Sequence, residues 1–359
     1  MSAEKISTVQ GFLLSLNVIL STIVLLVPSE IIIQSGRNAW ISIIFASFFI
    51  IIIHYLVFKL SCQFSNQNLI RDCISIFGDI LGRLILIPFI LINIQLTILI
   101  MYESVGFIGM VMPGANRGRI EIWFAITLIG GYLSYKGIET ILRVNGFGIV
   151  IIFFSILIIG LGDYRMIDFN YLRPLEIDLK QIVRGSLLPL HWFLIIPNLF
   201  LVFKPFFKDK AKAIKVSLLG NLVSMIVITI LLVITIGVFG SEIGGSLQYS
   251  FYSLSKLSIS GLEVNVFVAW IMATMIKVGI YYFTCLYLIK EWFKLDSYKK
   301  LIVPFMLFTI SFGYFQTDIY YLKTLFIHII TISIFIIEVP FLLLMILGYL
   351  FKNKSKSNL

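Results

Sequence analysis

The chain has 359 residues, 59% hydrophobic and only 13% charged, with a formal net charge of +10 and a mean hydropathy of +1.03. Soluble domains are about 25% charged, so this composition excludes a soluble enzyme and leaves a polytopic membrane protein. The basic excess is not a nucleic-acid footprint, because it sorts by side of the membrane.

Ten apolar stretches follow one another at 11–33, 40–60, 84–110, 122–135, 141–161, 187–206, 216–239, 264–288, 301–314 and 325–350. Roughly 18 or more apolar residues cross a hydrocarbon core of about 30 Å as a helix, and a helix satisfies its own backbone groups in lipid. The expected fold is an all-α membrane protein of ten transmembrane helices in one polytopic domain over 1–359. The first stretch is not read as a cleaved signal peptide, because no small-residue cleavage site follows it.

The first stretch carries Asn17, Ser21 and Thr22 before Pro28, and proline withdraws a backbone donor. The second holds His54, read as structural. Residues 66–77 then pattern as an amphipathic surface helix leading into the third stretch. There Asn93, Gln95 and Glu103 form a polar line. The Arg117-Gly118-Arg119 turn is a short connection and no nucleotide site. The connection at 162–184 mixes acidic and basic residues.

The sixth stretch repeats the pattern of the first, with Pro189, His191, Pro197, Asn198 and Pro205. Interrupted segments at matching positions of two halves point to a midplane site in transporters built from inverted repeats. The expectation is a 5+5 inverted repeat, about 9–161 and 184–351, with spans one and six broken. A simple proline kink is the competing explanation. The lysines at 208–215 either hold anionic lipid headgroups or serve as ordinary positive-inside anchors. The connection at 240–261, rich in Ser and Tyr, is expected to hold a short interfacial helix.

Ionisable groups within a bilayer are costly and functional by default. Lys277 is central to the eighth stretch, and Thr274, Lys277, Tyr281 and Thr284 recur at helical spacing as one seam. Its ammonium either replaces a bound cation, titrates as a proton carrier, or tethers carbonyls of a broken helix. Glu338 in the tenth stretch, with His328 and Thr331 on its face, reads as a proton relay or as interhelical glue. With the amino terminus inside, eighteen Lys and Arg residues fall on the inner side and nine on the outer. This bias places both termini in the cytoplasm. Cys62, Cys73 and Cys285 are too scattered for a disulfide framework or metal site. Phosphate-binding, zinc and serine-elbow motifs are absent, so no cofactor and no enzyme activity are expected.

Four stretches in order carry a resemblance. They are Glu4-Lys5-Ile6-Ser7 with Gln10, the 21–28 segment and Ala39-Trp40; Tyr102-Glu103-Ser104 with Phe107-Ile108; Lys204-Pro205 with 208–220; and 262–282, including Phe267-Val268-Ala269-Trp270-Ile271 and Ile276-Lys277. Together they resemble the B subunit of bacterial spore germinant receptors, of the amino acid–polyamine–organocation transporter superfamily. The resemblance implies a ten-helix permease fold in the spore inner membrane. It also implies a small-molecule germinant, often an amino acid, bound between spans one and six, and a receptor A subunit and C lipoprotein as partners. Asn17, Ser21, Thr22, His191 and Asn198 would line the pocket, with Lys277, Glu103, Thr274, Tyr281 and Glu338 as polar neighbours. The chain departs from its relatives where Ser21 replaces a common glycine and where Ile195 and Ile196 occupy small and acidic positions. Three readings follow: a receptor subunit, a proton- or sodium-coupled amino-acid permease, and a scaffold or ion-conducting subunit.

Overall fold

The computed structural model describes residues 5–63, 68–112, 114, 118–173, 177–258, 261–315, 336–337 and 339–357. Twelve helices are defined among them: α1 (Thr8–Ser35), α2 (Ala39–Gln63), α3 (Leu69–Phe77), α4 (Asp79–Val111), α5 (Arg119–Lys136), α6 (Ile138–Asp163), α7 (Leu179–Phe203), α8 (Lys210–Ser246), α9 (Ser250–Leu257), α10 (Leu262–Trp292), α11 (Ile302–Phe315) and α12 (Val339–Ser357). Six segments among the described residues are long and apolar enough to cross a membrane: Val27–Lys59, Asp79–Val111, Ile138–Gly162, Leu179–Phe206, Lys210–Ser246 and Leu262–Trp292. The other expected spans fall on shorter or less apolar helices. The first part of the tenth, with His328, Thr331 and Glu338, lies outside the described residues.

Local chemistry explains several boundaries. Ser7 starts α1 with a capping box: its Oγ accepts from Gln10 N at 3.2 Å, and its own N–H donates to Gln10 Oε1 at 2.9 Å. Asn68, Asp178 and Asp209 cap α3, α7 and α8 in the same role. Ahead of α1, Ile6 pairs with the segment after α7: its N–H donates to Phe206 O at 2.7 Å, and its carbonyl accepts from Lys208 N at 3.2 Å. Gly240 sits at φ 72°, ψ 170° and interrupts α8, a conformation that only glycine adopts cheaply.

The helices gather into two groups. In the first, α1 packs along α8 and α7 along α2, with α1 also meeting α7 and α2 meeting α8. The approach is close: a Cβ on Gly220 of α8 would lie 2.5 Å from Ser15 Cβ of α1. In the second, α10 packs against α4, α5 and α6, and α1 joins the groups by touching α6 and α10. Apolar side chains such as Phe48, Phe147, Phe154 and Ile226 are exposed around the outside, as lipid-facing positions require.

The short helices close the ends. α3 confirms the expected amphipathic segment and packs against α4, α10 and α12, with its Asp72 paired to Lys204 just after α7. α9 is the short helix expected within 240–261, and it packs against α1, α6, α8 and α10.

One expectation is corrected. Spans one and six are not broken: α1 and α7 each run as a continuous helix through their prolines. Pro28 costs one i→i−4 bond, and Pro189 and Pro197 one each. Neighbouring helices and side-chain hydroxyls tolerate such losses in packed membrane helices.

Candidate functional site

The helical period places Thr274, Lys277, Tyr281 and Thr284 on one side of α10, and all four are fully buried. Two of the expected α1 residues meet this face. Asn17 Nδ2 donates to Ala273 O at 3.1 Å, and Thr274 Oγ1 donates to Ser21 O at 3.1 Å. Ser21 Oγ donates back to Asn17 O at 2.6 Å, which closes a polar seam between the two helices. Thr22 belongs to α1, but its side chain lies outside the described residues.

Lys277 lies one turn along α10 from this seam. Its Nζ is 5.4 Å from the centroid of the Trp192 ring on α7, a cation–π contact worth about 2 kcal/mol when desolvated. The charge of Glu103 on α4 also acts on Lys277, and that of Lys277 on His191. Four helices, α1, α4, α7 and α10, therefore bring polar side chains toward one buried centre where the two groups meet. No lysine is left in hydrocarbon without such company at low cost.

The two histidines differ sharply. His54 is bonded at both ring nitrogens: Nε2 is 2.9 Å from Ser217 Oγ, and Nδ1 is 3.2 Å from Asn221 Nδ2. With Asn221 donating to Nδ1, the Nε2–H donates to Ser217, whose hydroxyl donates to Ile214 O. That chain fits its structural reading. His191 is also buried, yet neither ring nitrogen has a hydrogen-bond partner among the described residues. Among the described residues, Asn198, two turns along the same helix, is buried with neither amide atom partnered, and Asn17 Oδ1 likewise has no partner. Each such group costs about 1–3 kcal/mol, which a hydrogen-bonding occupant would recover.

Toward α9, a cavity of about 10 Å³ adjoins the α1–α10 seam, with Leu20, Val24, Ala269 and Trp270 among its walls. Trp270, one of these walls, belongs to an aromatic cluster. Phe107 of α4 lies 4.4 Å from Trp270, 4.8 Å from Tyr249 and 5.5 Å from Tyr252, measured between ring centroids.

A second buried polar centre lies on the Ile6 face. Lys204, just after α7, forms an ion pair with Asp72 of α3, and Tyr349 of α12 donates to the same Asp72 Oδ2 at 3.2 Å. All three are at most 1% exposed. Lys204, one of the basic residues in the positive-inside count, is thus buried against an acidic partner. Burial pushes the Asp72 carboxyl above the usual carboxylate range, and Lys204, Tyr349 and Lys210 pull it back only in part.

Trp192 and the Asp72–Lys204–Tyr349 centre escaped sequence reasoning. Trp192 is adjacent to a singled-out histidine, which was the available signal. Asp72 stands on the expected amphipathic helix, and its partner only becomes visible in three dimensions. Among the described residues, no group of three His, Cys, Asp or Glu side chains is placed to hold a metal ion.

The family model for a spore germination protein matches residues 5–321. A search of the curated proteins finds no match.

Proposed function

From the premise that the chain belongs to the spore germination protein family, whose model matches residues 5–321, we propose that it is the ligand-binding subunit of a nutrient germinant receptor. It binds a small molecule, an amino acid, at the centre formed by Asn17, Ser21, Thr274, Lys277, Trp192 and His191. The observation that carries this reading is the convergence of buried polar groups from four helices, several without a protein partner, at the meeting of two helix groups. Lys277 offers a charge to a carboxylate, and the amides of Asn17 and Asn198 offer neutral donors and acceptors.

The chain has ten spans with both termini cytoplasmic, in two repeats of about 9–161 and 184–351. Exchanging such halves would turn the α1–α8 packing into the α7–α2 packing, and both are extensive, which supports the 5+5 arrangement. The germinant receptor A subunit and C lipoprotein are its partners in the spore inner membrane. Ligand binding shifts the two helix groups by as much as the ligand prefers one arrangement; about 1.4 kcal/mol of preference gives a tenfold population shift.

The experiment pairs two measurements across an amino-acid panel: germination of spores lacking the chain, and uptake by vesicles containing it alone. Loss of a nutrient response without concentrative uptake is the expected result. Concentrative uptake driven by a proton or sodium gradient would replace this reading with the permease one.

A further inference from the structure

α3 is nine residues long, yet it is tied to both helix groups. On one side, Asp72 pairs with Lys204 in the turn after α7 and accepts from Tyr349 of α12, and α12 packs on α2. On the other, Asn68 donates to Glu291 near the end of α10, and Gly78 leads directly into α4. There α3 folds back on α4 so closely that a Cβ on Gly82 would lie 2.8 Å from Cys73 O and Ile74 Cα. Trp292 Nε1 donates to Arg83 O at 3.2 Å and joins α4 to α10. α3 therefore moves with the α4–α10 side, and Asp72 is the residue it holds out to the α7–α2 side. Between the two sides, at this end, aromatic rings meet: Phe206 lies 5.9 Å from Phe283 and 5.2 Å from Tyr287, centroid to centroid.

We infer that α3 is a clasp that fastens the two helix groups together at this end of the bundle, and that the Asp72–Lys204 pair is the fastener that parts when the groups separate there. An ion pair suits a fastener that must open. Closed, both ions are stripped of water, each 1% exposed, and burial outweighs the pull of Lys204 on the Asp72 carboxyl. Opened, both regain their hydration. The desolvation cost of a buried pair offsets most of its Coulomb attraction, so the two arrangements lie close in free energy. Apolar side chains at the same place would lose buried area on opening and recover nothing, which would hold the clasp shut. Lys204 follows directly on the helix that carries His191, Trp192 and Asn198, so a displacement of α7 bears on Asp72. The clasp stands whatever the bundle binds.

The chain carries its own reporter. Cys73, next to Asp72, is wholly buried, with its Sγ 3.4 Å from Met345 Sδ of α12. Cys285, equally buried in α10 and 3.3 Å from Thr97 Oγ1, reports on the bundle core. The test uses the purified full-length chain in lipid nanodiscs, with Cys62→Ser and either Cys285→Ser or Cys73→Ser, and follows alkylation by a maleimide. Asp72→Asn strands Lys204 and should speed labelling of Cys73 about tenfold or more, while Cys285 stays protected over the same period. Glu291→Ala removes the acceptor of Asn68 and should speed Cys73 by a smaller factor. Asp72→Leu with Lys204→Met and Tyr349→Phe should label no faster than the wild type.

A distance measurement separates a clasp from a helix that merely frays. Lys212→Cys and Lys300→Cys place spin labels at exposed positions on α8 and on the turn packed against α10, in a background with Cys62, Cys73 and Cys285 replaced by Ser. Pulsed dipolar spectroscopy should show a longer-distance population in Asp72→Asn that the wild type and the apolar trio lack. Faster labelling of Cys73 with no longer distance overturns the proposal, because α3 then loosens alone. Exposure of Cys285 together with Cys73 overturns it as general loosening. Unchanged Cys73 labelling in Asp72→Asn, or a trio that labels as fast as that variant, also overturns it.

Discussion

Replacing Asp72 by alanine removes the counter-charge of a lysine that is 1% exposed. The Lys204 ammonium then keeps its burial and loses its ion pair. Stranding one member of a buried pair costs about 3–5 kcal/mol. Tyr349→Phe removes only the hydroxyl that donates to Asp72, and a bond to a charged group is worth about 1.5–3 kcal/mol. Asp72→Leu combined with Lys204→Met and Tyr349→Phe removes the whole polar centre. Burial already outweighs the attraction of Lys204 in setting the Asp72 carboxyl, so the apolar trio should be neutral or stabilising by about 1–4 kcal/mol. The sign with pH follows. The folded carboxyl holds its proton to higher pH than the unfolded one, near about 3.9. Its contribution is therefore whole below the unfolded value and falls as pH rises through the folded value. The trio's advantage over wild type should widen as pH rises above about 3.9. Unfolding of the purified chain by sodium dodecyl sulfate in mixed micelles, monitored by tryptophan fluorescence, measures each variant. Single substitutions below about 1 kcal/mol that simply add in the trio would refute the argument.

Further expectations follow from the same bonding. His54→Leu leaves the Asn221 amide without its histidine acceptor while Ser217 keeps its bond to Ile214 O, and should cost about 1–3 kcal/mol, read in the same unfolding titration. His191→Phe strands nothing, because its ring nitrogens have no partners; stability should hold or rise while ligand affinity falls, as at sites that trade stability for function. Thr274→Val deletes the bond to Ser21 O and should cost about 1 kcal/mol while weakening ligand binding. Gly240→Ala forces a side chain onto φ 72°, ψ 170° and should destabilise by about 1–3 kcal/mol, visible as faster hydrogen exchange around the break in α8.

Hydropathy alone located the helices, because each must hide its backbone from lipid and has only apolar side chains with which to face it. The small elements were legible for local reasons: α3 from its two-faced pattern, and α9 from the Ser- and Tyr-rich composition of its connection. The seam of Thr274, Lys277 and Tyr281 was legible because helical spacing is a one-dimensional property. Tertiary facts were not. Proline at 28, 189 and 197 signals a lost donor, but whether the helix breaks depends on neighbours that the chain order does not reveal. Lys204 beside Pro205 at a span end looks like any interfacial anchor, and only the fold brings Asp72 and Tyr349 to it. Trp192 is one aromatic among many until α7 turns it toward Lys277.

The central claim is that a nutrient is bound within this bundle beside Lys277. The most direct test is the germination dose–response of spores carrying Lys277→Ala, over graded concentrations of each amino acid, with receptor level confirmed by blotting. The account predicts normal protein level and a half-maximal concentration raised about tenfold or more, equivalent to at least about 1.4 kcal/mol of lost binding. An unchanged curve at normal protein level would contradict it and move the nutrient site away from Lys277.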